Sequence, residues 1–223
     1  MTTLAFDVYG TLIDTRGIQM TLADMLGDDP LAAQITRRWR EKQLEYSFRR
    51  ALMAHYQPFS VCTRQALNFA LSEATVTLSD DQCDQLLMAY RHLPAFPDAV
   101  GLLQQLSSMG VRAFAFTNGE AAIASELLTN AGLIDELDGI VSVDLLRTFK
   151  PDPRVYQHFL ETADTLAADT WLISGNPFDI LGARHAGWRT AWVRRTEAPF
   201  DPWDEAPDIS VTCLSDLPGK LGL

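Results

Sequence analysis

Apolar residues recur along this chain in two rhythms. Six short runs are almost continuously apolar or β-branched: Thr3–Val8, Val111–Phe116, Ile140–Val143, Thr170–Ile173, Thr190–Val193 and Ile209–Val211. Runs of that length and kind predict strands covered on both faces, as in a parallel sheet. Between the later runs the period lengthens to that of an amphipathic helix, over Asp98–Met109, Ala121–Ala131, Asp152–Ala163 and Ile180–Ala186. Gly110 and Gly132 fall where helices end, and Pro97 and Pro151 where helices begin. This alternation predicts an α/β fold, a doubly wound parallel sheet with helices on both faces.

Residues 15–95 break the rhythm. They hold no strand-like run, but show helical periods over Leu31–His55, Arg64–Glu73 and Asp80–His92. Asp80 and Asp81 sit in the first turn of the last, where acids favour the helix dipole. The pattern predicts a helical cap of residues 15–95, inserted after the first strand and closing over the sheet's C-terminal edge. The core would then comprise residues 1–14 and 96–223. The stretch Glu197–Asp208, rich in Pro and acids, reads as a surface loop.

Composition narrows function more than fold. With 47% apolar and 21% charged residues over 223 positions, the chain is of ordinary globular kind and long enough for a sizeable core. No apolar run approaches the roughly 20 residues that span a bilayer. The start lacks the basic region of a signal peptide, so cytoplasmic residence is expected. Cys62, Cys83 and Cys213 are few and widely spaced, as fits reduced packing residues. The net charge of −11 argues against nucleic acid or an anionic membrane as partner. An anionic small molecule would need local cations to draw it in.

Candidate chemistry gathers where the predicted strands end. The first strand delivers Asp7 to its tip, rigid and partly desolvated as a nucleophilic carboxylate must be. Thr117-Asn118-Gly119 follows the second. Lys150 lies in the loop after the third, ahead of Tyr156. Ser174-Gly175-Asn176-Pro177-Phe178-Asp179 follows the fourth. In a parallel sheet all four sites face one crevice. Asp179 could also serve as a helix cap. His55, His92 and His158 read as surface residues, and His185 as a weak proton-relay candidate.

These motifs resemble those of the haloacid dehalogenase superfamily: D-V-Y-G-T-L-I-D from Asp7, T-N-G from Thr117, K-P-D-P-R-V-Y from Lys150 and S-G-N-P-F-D-I-L-G-A-R from Ser174. The segment W-R-E-K-Q-L-E-Y from Trp39 is similar to one in its L-2-haloacid dehalogenase branch. The resemblance implies a Rossmann-like core with a helical cap. It implies hydrolysis of (S)-2-haloalkanoic acids to (R)-2-hydroxy acids and halide through an aspartyl ester, without metal or cofactor, and a possible homodimer. Asp7 would be the nucleophile, Lys150 the cation that supports its charge, and Thr11 its orienting hydroxyl. The N–H groups of Val8 and Tyr9, with the Thr117 hydroxyl, would bind the substrate carboxylate. Arg40 and Asn118 would cradle the halide beside Phe178. Asp179 and Asn176 would position the water. Ser174 and Tyr156 would brace Lys150 and the nucleophile, and Tyr9, Leu44 and Phe59 would line an apolar pocket.

Within such a superfamily a phosphatase needs a second acid two residues after the nucleophile, to protonate the leaving alkoxide, and further acids for Mg²⁺. Here those positions hold Tyr9 and Asn176. Halide on saturated carbon leaves without either device. An Mg²⁺-dependent phosphatase and an inactive binding protein of the same fold remain the alternatives. Three residues depart from the branch pattern as Thr117 for Ser, Phe178 for Trp and Glu41 for Gln. A carboxylate at Glu41 would oppose an anionic substrate unless Arg40 or Lys42 pairs with it.

Overall fold

Every residue of the first strand, β1 (Thr3–Asp7), is buried, because it lies at the centre of the sheet with a neighbour on each side. A computed structural model describes residues 2–223. The other strands are β2 (Arg112–Thr117), β3 (Gly139–Ser142), β4 (Thr170–Ser174), β5 (Arg189–Val193) and β6 (Ile209–Val211). All pair in parallel, in the order β3-β2-β1-β4-β5-β6. The strand order reverses direction beside β1, and the crevice at such a switch point is where open α/β sheets bind ligands.

Alternation along β1 decides where Asp7 points. Leu4 and Phe6 join the core with α5 (Pro97–Ser108) and α6 (Ala121–Asn130), whereas Ala5 joins the opposite core. That second core carries Phe116, and Val155, Tyr156 and Phe159 of α7 (Pro153–Thr162). It also carries Ile180 and Ala183 of α8 (Pro177–His185). Successive strand side chains face opposite ways, so Asp7 shares the Ala5 face and meets groups from α7 and α8.

Between β1 and α5 run four helices and, among the described residues, no strand: α1 (Arg16–Leu26), α2 (Asp29–Leu52), α3 (Phe59–Glu73) and α4 (Asp80–Ala89). They pack largely on one another. The chain leaves and rejoins the sheet through two antiparallel segments, with Asp14 N–H donating to Pro94 at 2.9 Å and Phe96 N–H to Leu12 at 2.8 Å. Helix α1 escapes the sequence pattern because no side chain caps its start and Gly17 stands in its first turn. Helix α2 begins at Asp29 rather than Leu31, since the Asp28 carboxylate caps it by accepting from Leu31 N–H. Helix α7 begins at Pro153, with Asp152 as its cap, so Pro151 precedes the helix instead of opening it. A short C-terminal helix, α9 (Leu217–Leu221), was also not predicted. No helix among the described residues is long and apolar enough to cross a membrane. The cysteines are free, Cys62 and Cys83 buried and Cys213 half-buried.

One ion pair ties the returning chain to the far side of the sheet. Asp98, in the first turn of α5, grips Arg195 through two bonds of 2.7 and 2.9 Å and accepts from Leu214 N–H at 2.8 Å. Arg195 also donates to the Thr11 carbonyl at 2.8 Å. Although partial burial opposes it, these donors hold the Asp98 carboxyl below the usual carboxylate range. A carboxylate with a lowered folded value stabilises above its unfolded value and loses that contribution as pH falls through the folded one. Asp98→Asn should therefore cost about 1–3 kcal/mol at pH 7, measured by urea denaturation. The gap to the parent protein should close as pH drops below about 4.

Candidate active site

The loop after β3 delivers one buried cation to the strand tips. Lys150, 1% exposed, donates from Nζ to Asp7 Oδ1 at 3.2 Å, to Asp179 Oδ2 at 2.8 Å and to the Phe116 carbonyl at 2.8 Å. An ammonium has three donors, and all three are used. Its backbone N–H donates to Asn118 Oδ1 at 2.8 Å, so the T-N-G turn after β2 holds the lysine's main chain.

Asp7 is fixed from its other side. Its Oδ2 accepts from Thr11 Oγ1 at 2.9 Å and from Asn176 Nδ2 at 2.7 Å. The same Asn176 amide donates to the Tyr9 carbonyl at 3.2 Å. Thr11 Oγ1 in turn accepts from Gly175 N–H at 2.8 Å, which locks the loop after β4 to the turn after β1. The two loops touch so closely that a Cβ on Gly175 would meet the Gly10 carbonyl oxygen at 2.5 Å. Among the described residues Oδ1 accepts only the longer Lys150 bond.

Asp179 is fully buried, with Oδ2 on Lys150 and Oδ1 on the Tyr156 hydroxyl at 2.9 Å. Burial raises its proton affinity, an effect that the Lys150 charge opposes and the Asp7 charge reinforces. Neither oxygen caps α8, whose N-cap residue is Asn176, so Asp179 does not serve as the helix cap that its position suggests. Burial also raises the Tyr156 phenol, helped by the Asp179 charge beside it. Ser174 accepts from Asn176 N–H at 3.1 Å and so braces the residue whose amide holds the expected nucleophile Asp7, while its expected contact with Lys150 is not among the bonds of the described residues.

Helix α2 brings Arg40 across from the helical segment. Nη2 reaches Asn176 Oδ1 at 3.5 Å, and Nη1 donates to Gln43 Oε1 at 2.8 Å. Phe48, two turns on from Arg40, packs edge-on against Phe178 with ring centroids 5.1 Å apart. Leu44 lies between them on the same helical row. A cleft of about 550 Å³ opens beside this row, lined by Tyr9, Gln43, Phe59, Tyr90, Gly119 and Glu120. Leu44 is not on its wall, since the helical turn directs it to the row of Arg40. Desolvation pushes the Tyr90 phenol up to about 12, and the Tyr9 phenol also lies above its ordinary value. Both stay neutral near pH 7.

Further contacts join the helical segment to residues around α6 and after β3: Ser60 with Glu120, Tyr56 with Asp144, and Arg91 with Glu126 at 2.9 Å. Glu41 faces away from the cleft, exposed and paired with Arg38 at 3.2 Å, so the conflict expected of it does not arise. His185 binds the Leu181 carbonyl and stands near Glu205, remote from the cluster. Val8 is buried directly after Asp7, and Thr117 Oγ1 accepts from Gly119 N–H at 3.0 Å. The sequence reading missed Gln43, although its spacing of three from Arg40 on one helix would have found it. It also missed the Phe116 carbonyl, for which the sequence carries no signal.

The family model of haloacid dehalogenase-like hydrolases matches residues 1–187. The chain belongs to that family. Among its relatives, (S)-2-haloacid dehalogenase 1 of Pseudomonas sp. (strain CBS-3) is 36% identical over 97% of this chain and 94% of that one. A haloacetate dehalogenase of Moraxella sp. (strain B) is 30% identical, covering 96% and 95%. The structure of L-2-haloacid dehalogenase from Xanthobacter autotrophicus with chloropropionic acid covalently bound superposes with a TM-score of 0.91, 31% identity, and coverage of 100% and 99%. Within the haloacid dehalogenase-like hydrolases the chain thus falls in the (S)-2-haloacid dehalogenase branch. A divalent cation does not fit this family member's donor set. The Lys150 ammonium lies between the two carboxylates, and Asn176 turns an amide donor toward Asp7.

Replacing Lys150 with Met would leave Asp7 and Asp179 facing each other without a cation. Lys150→Met should cost about 3–5 kcal/mol at pH 7. A carboxylate whose folded value is raised is destabilising once ionised, so the deficit should shrink from pH 8 to pH 5 as the pair takes up a proton. Urea denaturation across that range would measure it.

Proposed function

We propose that this chain hydrolyses (S)-2-haloalkanoic acids to (R)-2-hydroxy acids and halide through an ester of Asp7. The observation that carries this is the support of Asp7 by an ammonium and an amide, with a neutral phenol at the position two residues on. Such a carboxylate can attack carbon but offers a phosphate ester neither acid nor metal. Residues 15–95 act as a cap over the core of residues 1–14 and 96–223, and the substrate passes between them.

Asp7 Oδ1, the less encumbered oxygen, attacks the substrate Cα from the side opposite the halogen. The Cα–halogen bond breaks as the Cα–O bond forms, inverting the carbon and turning the carboxylate into an ester. Thr11 and Asn176 hold Oδ2 so that the attacking oxygen is aimed. The substrate carboxylate rests on the N–H groups of Val8 and Tyr9 and on the Thr117 hydroxyl. Arg40, Asn118 and the Phe178 ring edge receive the departing halide, with Leu44 beside Arg40. Tyr9 and Phe59 enclose the alkyl group. Water then attacks the ester carbonyl carbon of Asp7 and passes one proton to Asp179, whose raised proton affinity suits a base. Collapse of the tetrahedral intermediate breaks the bond from that carbon to Oδ1, which leaves on the substrate as an alkoxide and takes the other proton of the water, freeing the hydroxy acid and the Asp7 carboxylate. Asn176 orients that water, and Tyr156 and Ser174 keep Asp179 and Asn176 in place. The same reading carries a homodimer, for which Leu52 and Met53, exposed at the end of α2, offer apolar surface.

Chloride should be released from (S)- but not (R)-2-chloropropionate, at a rate unchanged by EDTA, and Asp7→Asn should abolish it. In a single turnover in H₂¹⁸O the hydroxy acid should carry unlabelled oxygen, with the label in Asp7. Label appearing directly in the product hydroxyl would rule out the ester, and phosphatase activity sensitive to EDTA would rule out the assignment.

A further inference from the structure

Arg40 does not hold its own position. It is a long side chain at the boundary between cap and core, and among the described residues its one hydrogen bond to the core is to Asn176 Oδ1, at a weak 3.5 Å. What fixes it lies within the cap. Gln43, 1% exposed, accepts from Arg40 Nη1 at 2.8 Å and donates from Nε2 to Thr63 Oγ1 at 2.6 Å. Thr63, also buried, donates onward to the Phe59 carbonyl at 2.9 Å. Next to this line, the Trp39 indole N–H donates to the Thr63 carbonyl at 2.8 Å and pins α2 to α3.

The direction of the chain of bonds follows from donor and acceptor chemistry. A backbone carbonyl only accepts, so Thr63 spends its proton on Phe59 and must accept from Gln43. That orients the Gln43 amide, leaving its oxygen as the one atom able to face a guanidinium, which only donates. A leucine or methionine of similar size could fill the space but could not make this connection. The line runs from Phe59, on the cleft wall, to Arg40, and Gln43 lines the cleft between them.

The geometry points to Gln43 and Thr63 as positioning residues that lock the guanidinium of Arg40 for the departing halide and couple that lock to the Phe59 wall of the substrate pocket. This rests on the halide role given to Arg40 above. A side chain held by buried, satisfied hydrogen bonds loses little on closing around the transition state, whereas a free arginine must be ordered in each turnover.

The test reads sensitivity to the leaving group, which a merely structural role leaves untouched because loss of folded enzyme scales all substrates alike. kcat/KM would be measured for (S)-2-bromo- and (S)-2-chloropropionate. Help for the halide matters more to the poorer leaving group, so Gln43→Leu and Thr63→Val should each lower the chloride value about 10–100-fold. Each should also raise the bromide-to-chloride ratio several-fold, in the direction of Arg40→Lys. Thr63→Ser, which keeps the hydroxyl, should restore the parent ratio. The double variant should shift it no further than either single one, since both cut the same line. Thr63→Val preserves volume, which keeps the test valid where Gln43→Leu fails to fold. An unchanged ratio in Thr63→Val beside a shifted one in Arg40→Lys overturns the inference alone. An unchanged ratio in Arg40→Lys overturns the halide role itself.

Discussion

The Lys150 ammonium, enclosed by Asp7, Asp179 and the Phe116 carbonyl, is the interaction on which the rest of the site depends. A buried carboxylate is costly unless paired and fully hydrogen-bonded, and two of them facing each other are worse. One cation placed between them makes the arrangement tolerable. It also dictates the surroundings. The loop after β3 must bring Lys150 inward, the turn after β2 must hold its backbone through Asn118, and α7 and α8 must supply the Tyr156–Asp179 pair that closes the far side.

The helical segment answers a different need. The strand tips present polar groups from one half-space only, and a small anion bound there would stay open to water. Helices α2 and α3 supply the other half-space, with an apolar wall at Phe59 and a cation at Arg40. In a chain of net charge −11 local cations, Arg40 and Lys150 with Arg64 and Arg91 on the cleft wall, matter more than the overall field, which repels an anion. Arg40 stands at the boundary with the core, within reach of Asn176, while Lys150 is sealed beneath Asp7, so in the proposed reaction they divide the work: one for the departing halide, the other for the carboxylate.

The sheet was legible in the sequence because parallel central strands need continuous apolar runs, and the predicted runs match β1–β6 to within a residue or so at each end. The strand-tip residues were legible for the same reason, since a parallel sheet sends all its C-terminal ends to one side. What stayed hidden depends on rotation and on main-chain atoms. Leu44 and Gln43 are adjacent in sequence, yet one helical step of about 100° sends them to different surfaces. Glu41 reads as a threat to the site, but the same geometry turns it outward to Arg38. Ser174 reads as a partner of Lys150, but the three ammonium donors are spent on Asp7, Asp179 and the Phe116 carbonyl, and the Ser174 oxygen accepts instead from the nearby backbone N–H of Asn176. Polar groups two residues apart in a tight loop often satisfy each other first.

The charge count of the cluster also orders the two chemical steps of the proposed reaction. Two carboxylates and one ammonium leave a net negative charge in a nearly dry site, and burial already drives Asp179 toward its protonated form. Alkylation of Asp7 removes one carboxylate charge, and the halide carries the negative charge out toward Arg40. The ester state then leaves Lys150 and Asp179 as a balanced pair, so the first step relieves the strain of the resting site instead of adding to it. Hydrolysis must recreate the Asp7 carboxylate, and it can do so because Asp179 takes up one proton of the attacking water, the departing alkoxide takes the other, and Asp7 regains its charge. The proton that burial favours on Asp179 is thus the one the second step releases, and its loss to solvent resets the site.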